Sequence, residues 1–184
     1  RRVLFRSGKT IAEISKTLNV PPLEFVLDLL YEEDCKVSVI FFNMSEENLA
    51  RILKWDSVMI GSDSSLRSLE GVLNYGKPHP RGYGTFSRVI RKYVNETSIL
   101  SIEEAIYKMT GFPAQTLGLK DRGILKEGFF ADITIFDQET IAEQATFTSP
   151  HNYSTGIKHV LVNGKLTIND GKHESVTNGA ILKK

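Results

Sequence analysis

Six consecutive residues, Val37-Ser-Val-Ile-Phe-Phe42, narrow the possible folds more than any other feature of the chain. Nearly all are apolar, β-branched or aromatic, and they do not alternate with polar residues. A strand that meets water on one face alternates. One that does not is covered on both faces, as in parallel sheets whose crossovers are helices. The flanking sequence fits that reading. Thr10-Ile-Ala-Glu13 is a capping box that opens a short helix ending near Asn19, ahead of Pro21 and Pro22. Phe25, Val26, Leu29 and Leu30 fall at helical spacing and predict a second helix over 23–32. Ser45 caps a third, through about Lys54. Ser57-Val-Met-Ile-Gly-Ser-Asp63 then reads as a second buried strand with a polar tip. Two strand–helix units in succession indicate α/β architecture, and a parallel barrel and a doubly wound sheet both satisfy it.

After Asp63 comes a loop of about 20 residues, long for a compact domain and read as functional or as a lid. Thr85 is expected to cap a helix over 86–95. Ser101-Ile-Glu-Glu104 opens another, with Gly111 just past its end. From Gly123 the character changes. Residues 128–137 read as a strand, and 159–162 and 165–168 flank Asn163-Gly164, a strong hairpin signal. Asn169-Asp170-Gly171 makes another turn. The organisation expected is an unassigned junction over 1–7, an α/β part over 8–122 and an antiparallel β part over 123–184.

Bulk properties exclude several function classes. At 184 residues the chain suffices for one domain with a core, or for pieces of two. A formal net charge of +1 sets up no field toward nucleic acid or a membrane surface, and no apolar run approaches the roughly 20 residues that span a bilayer. The single cysteine, Cys35, excludes an internal disulfide framework and suits a reducing, cytoplasmic compartment. Its acidic neighbours disfavour a thiolate, so it is read as a bystander.

Two features can carry chemistry. Asp63 closes a buried strand, behind the permissive Gly61. Carboxylates at that end of a barrel strand serve as bases or metal ligands, whereas an ordinary Asp there starts a loop or caps a helix. In Pro78-His-Pro-Arg81 two prolines hold the backbone extended. Arg81 is placed to clamp a carboxylate with its planar fork, the plainer alternative being a surface ion pair. His79 has no second His or Cys at metal-ligand spacing nearby. His151, His159 and His173 read as structural, Tyr83, Phe86 and Tyr93 as core or lid packing, and Trp55 as packing.

With those residues in view, a family resemblance emerges. Met59-Ile-Gly-Ser-Asp63, Pro78-His-Pro-Arg-Gly-Tyr-Gly-Thr-Phe86 and Arg88-Val89 resemble the N-acyl-D-amino-acid deacylase (D-aminoacylase) family of amidohydrolases. Lys108-Met-Thr-Gly-Phe-Pro113, Leu117-Gly-Leu, Asp121-Arg-Gly123, Gly128-Phe-Phe-Ala-Asp132, Phe136-Asp137, Ala145-Thr-Phe147, Gly156-Ile157 and Val162-Asn-Gly164 continue it in unbroken order. The resemblance implies the C-terminal part of a (β/α)8 TIM barrel, with 37–42 and 57–61 as its seventh and eighth strands, followed by strands of an accessory antiparallel β-sandwich. It implies a zinc-dependent enzyme acting on small N-acyl-D-amino acids. Asp63 would be the general base toward a metal-bound water and Arg81 the group holding the substrate carboxylate. The family's metal ligands are expected upstream, so this chain is expected to supply none and to be inactive alone. Ser64 stands where many members have glycine, Ser87 where they usually have proline, and Phe41 where some have a pocket-lining tyrosine. A cyclic-amide amidohydrolase of the dihydroorotase or hydantoinase kind shares the terminal Asp, and a non-catalytic binding module is the reading outside enzymes.

Overall fold

The computed structural model describes residues 8–182 and divides into two compact units, 1–43 and 44–184. The junction expected over 1–7 lies outside the described residues. The first unit is a pair of helices. In α1 (Ile11–Leu18) the Thr10 hydroxyl accepts from the Glu13 amide and the Glu13 carboxylate accepts from the Thr10 amide, completing the capping box. Asn19 ends it in the left-handed conformation that short polar side chains tolerate. Pro22 opens α2 (Pro22–Glu32), where its missing N–H costs nothing. Ile14 and Phe25 are the buried apolar residues among those described in this unit.

Residues 37–43 follow without forming a strand. Phe41 and Phe42 are each 73% exposed and Val39 56%, so the segment expected to be covered on both faces is not covered. A parallel strand takes its hydrogen bonds from strands on either side, and the described residues supply none.

The second unit begins with α3 (Glu46–Leu53), capped by Ser45. Residues 57–63 likewise form no strand. They are held by a helix instead. The Lys108 ammonium donates to the Trp55 and Val58 carbonyls, and the Ile60 amide donates to the Lys108 carbonyl at 3.1 Å. Lys108 belongs to α5 (Ile102–Met109), which opens with the expected Ser101–Glu104 capping box. Trp55, read as a packing residue, is 58% exposed.

Between these elements lies α4 (Arg81–Arg88), which continues as a π-helical stretch (Val89–Glu96) with wider i→i+5 turns. The helix starts five residues earlier than Thr85 suggested. Pro80, with φ −58°, occupies the cap position, while the Thr85 hydroxyl donates back to the Arg81 carbonyl from inside the helix. Leu53, Val89, Tyr93, Leu100 and Ala105 form the buried cluster that packs α3, the π-helical stretch and α5 together, with Ile60 against it. Gly111 stands just past the Thr110 cap of α5, as expected, and it also opens α6 (Gly111–Leu117), where a Cβ would press on Tyr107 and Ile124.

The remainder is one four-stranded antiparallel sheet: β1 (Ile133–Phe136), β2 (Ile157–Val162), β3 (Lys165–Asn169) and β4 (Lys172–His173), in that spatial order. β1 is shorter than the 128–137 expected. Asn163 and Gly164, with φ of 52° and 76°, make the expected tight β2–β3 turn, and Asp170 and Gly171 repeat the device before β4. Arg122 ties this turn to the chain before β1. Its guanidinium, with the side chain 11% exposed, pairs with Asp132, donates to Asn163 Oδ1 at 2.6 Å and lies over the Phe130 ring. The other Asp132 oxygen accepts the Asn163 amide at 2.8 Å. Three of the sequence blocks carrying the family resemblance, 121–123, 128–132 and 162–164, thus meet in one structural knot. Arg122→Ala strands both partners and is expected to lower the unfolding free energy by about 2–3 kcal/mol in urea titrations. A change below about 0.5 kcal/mol would show that the knot is surface decoration.

Candidate functional site

Asp63 and Arg81, picked out separately in the sequence, come together. Arg81 Nη2 lies 3.1 Å from Asp63 Oδ2, with Asp63 89% and Arg81 44% exposed in their side chains. Asp63 sits at φ 49°, a conformation that Asp accepts more readily than most residues. This turn delivers Ser64 onto the helix. A Cβ placed on Gly82 would stand 2.8 Å from Ser64 Oγ and 3.2 Å from Arg67 Cγ. The residue after Asp63 therefore packs where the residue after Arg81 has no side chain.

Arg81 is the first residue of α4, and His79 fixes that start. His79 Nδ1 accepts the Arg81 amide at 3.0 Å, and its ring stands edge-on to Phe147 at 5.0 Å. Burial first, and then the Arg81 charge, push the His79 pKa below 6.5. The ring is accordingly neutral at neutral pH and serves as an acceptor in the frame of Arg81. The long loop between the two site residues is tied down. The Tyr83 hydroxyl donates to the Ser68 carbonyl at 2.8 Å, His151 Nε2 lies 2.8 Å from the Gly76 carbonyl, and the Lys77 ammonium reaches the Thr148 carbonyl at 3.2 Å. His151 is structural as expected, since its other nitrogen meets the Tyr83 hydroxyl at 3.2 Å. His159 and His173 each accept a backbone amide, from Asp170 and Ser175. Phe86, read as packing, is 48% exposed.

Sequence reasoning did not find Glu143. Its carboxylate, 13% exposed, accepts from Arg88 Nη1 at 2.9 Å and from Arg91 Nε and Nη2 at 2.7 and 2.5 Å. Burial opposes its ionisation, but the Arg91 and Arg88 hydrogen bonds prevail and hold its pKa below the usual carboxylate value. The available signal was two glycines, Gly82 and Gly84, inside a helical turn, where glycine is unfavourable unless something must approach closely.

Among the described residues, no three His, Cys, Asp or Glu side chains gather in a way that holds a metal.

The amidohydrolase family pattern matches residues 56–168. The chain belongs to the amidohydrolase family. It is 43% identical over 130 residues to the N-acyl-D-glutamate deacylase of Alcaligenes xylosoxydans xylosoxydans, a match covering 71% of this chain and 25% of that protein. The crystal structure of a D-aminoacylase that defines a novel subset of amidohydrolases superposes with a TM-score of 0.81 at 33% identity, over 97% of this chain and 35% of the other. The N-acyl-D-glutamate deacylase of Bordetella bronchiseptica, complexed with zinc and a phosphonate mimic of the tetrahedral intermediate, superposes with a TM-score of 0.75 at 33% identity, over 94% and 35%. This amidohydrolase chain thus spans a quarter to about a third of the length of these relatives. No helix among its described residues is long and apolar enough to cross a membrane.

The frame around Arg81 has a pH signature. A His with a lowered folded-state pKa contributes stability that is complete above 6.5 and is lost as pH falls from there through its folded value. NMR titration of His79 should give a midpoint below 6.5, and Phe147→Ala should move it upward by opening the ring to water. A midpoint at or above 6.5 would mean that His79 is solvated and does not anchor α4.

Proposed function

We propose that the chain is the C-terminal portion of a zinc-dependent deacylase that hydrolyses the amide bond of N-acyl-D-amino acids to a carboxylate and a free D-amino acid. Residues 8–122 contribute the last part of its TIM barrel, and 123–184 contribute strands of an accessory β-sandwich. The observation that carries the reading is the pairing of an exposed carboxylate with a guanidinium, in a chain 43% identical over 130 residues to an N-acyl-D-glutamate deacylase. When bound in the complete enzyme, zinc supplies Lewis acidity toward water and the acyl carbonyl.

The chain's own contribution is a proton acceptor and a carboxylate clamp. Asp63 takes a proton from the attacking water and delivers it to the amide nitrogen as the C–N bond breaks, leaving the acyl product as the acid and the amino acid as the free amine. Arg81 binds the substrate's α-carboxylate and thereby sets the scissile bond beside Asp63. In the absence of substrate it rests on Asp63 through one exposed contact. Such pairs contribute about 0–1 kcal/mol, so a substrate carboxylate that takes both arms of the fork displaces it readily.

In the complete deacylase, Arg81→Ala should raise KM for an N-acetyl-D-amino acid and lower kcat as well. The combined loss should be about 2–3 kcal/mol for one charge-assisted bidentate contact. The matching carboxamide, which offers no anion, should lose far less. Equal losses on the two substrates would remove the clamp from the account.

A further inference from the structure

The clamp residue begins a helical run that a partly buried carboxylate grips further along. Arg88 and Arg91 lie one turn apart on the helical run that Arg81 opens, and both donate to Glu143, Arg91 with two nitrogens. Within the first turn after Arg81, a Cβ on Gly84 would stand 2.6 Å from Glu143 Cβ, so the backbone touches the same side chain that holds the arginines. Ser154 adds a third attachment: its hydroxyl donates to the Tyr83 carbonyl at 3.1 Å and meets the Ser87 hydroxyl at 2.5 Å. These contacts join the helix to 141–155, the stretch between β1 and β2. Around the helix, Glu46 takes the Lys92 ammonium at 2.8 Å and the Tyr93 hydroxyl at 2.5 Å and lies 4.0 Å from Arg88 Nη2, and Glu96 pairs with Arg91, while Glu143 takes both arginines.

An ion pair alone sets distance. A fork on two arginines together with a close glycine contact sets rotation and axial position as well. Resting on the reading of Arg81 as the carboxylate clamp, we infer that Glu143 is a positioning residue for Arg81. By holding Arg88, Arg91 and the Gly84 backbone, it fixes the rotation and advance of α4 and so the place of the Arg81 guanidinium against Asp63. The segment between β1 and β2 then sets substrate affinity without touching substrate.

The test is made in the complete deacylase with an N-acetyl-D-amino acid and its carboxamide. Glu143→Gln keeps the volume but weakens the fork, and Gly84→Ala wedges the helix away while keeping every charge. Each should raise KM for the carboxylate substrate by about tenfold or more, because small misplacements of a positioning group are costly, with the carboxamide KM nearly unchanged. In an Arg81→Ala background, Glu143→Gln should have little further effect on the ratio of the two KM values, since the group it positions is gone. A merely structural Glu143 lowers Tm and leaves that ratio at its wild-type value in both variants. That result overturns the inference while Arg81→Ala still shifts the ratio. If Arg81→Ala itself leaves the ratio unmoved, the clamp fails and the inference fails with it. Should Glu143→Gln yield little folded enzyme, the KM ratio of Gly84→Ala decides in the same way.

Discussion

The approach of the Gly84 backbone to Glu143 is the contact on which the arrangement around the site turns. It lets one carboxylate, 13% exposed, serve two arginines and lets a helix run close against the stretch between two strands. Charge explains why the contact is kept. Taking Glu143 out of water is unfavourable alone, and removing either arginine would leave part of that cost uncompensated. From the grip at Arg88 and Arg91, α4 runs back to Arg81, where His79 holds the first amide and Gly82 admits Ser64. Asp63 is thereby brought within 3.1 Å of Arg81. Each half of the pair is held by a different device, a helix start on one side and a left-handed turn on the other.

Features set by local chemistry were legible in the sequence. The capping boxes at Thr10 and Ser101 and the turns at Asn163-Gly164 and Asp170-Gly171 need no distant partner, and each formed where the pattern put it. The segments at 37–42 and 57–61 were harder, because an apolar run announces a need for cover without saying what provides it. Residues 57–61 instead lean on Lys108, whose buried ammonium meets the Trp55 and Val58 carbonyls, a role no spacing reveals. The start of α4 lies ahead of Thr85, which resembles a cap in sequence, because Pro80 with its preset φ opens the first turn. Gly111 follows the end of α5 as the pattern put it, but that it also opens α6 was not legible.

Of the site, Asp63 and Arg81 were legible because each stands at a backbone signal, a strand-like run behind Gly61 in one case and a Pro-His-Pro frame in the other. Their meeting was not legible, since 17 residues of loop separate them and its course depends on Tyr83, His151 and Thr148. Glu143 was invisible for the same reason: its arginines are more than 50 residues away. On the proposed reading, these parts contribute to amide hydrolysis one group that moves a proton and one that orients an anion.

The central claim is that Asp63 is the proton-transferring group, and replacing it with a side chain of the same shape that cannot take a proton tests it most directly. In the complete deacylase, Asp63→Asn should fold normally and keep most of its metal. Its kcat for an N-acetyl-D-amino acid should fall by about 10²–10⁴, the contribution of a general base. A variant that keeps more than about a tenth of wild-type kcat with its metal intact would contradict the account and leave Asp63 as the residue that turns the chain into its loop.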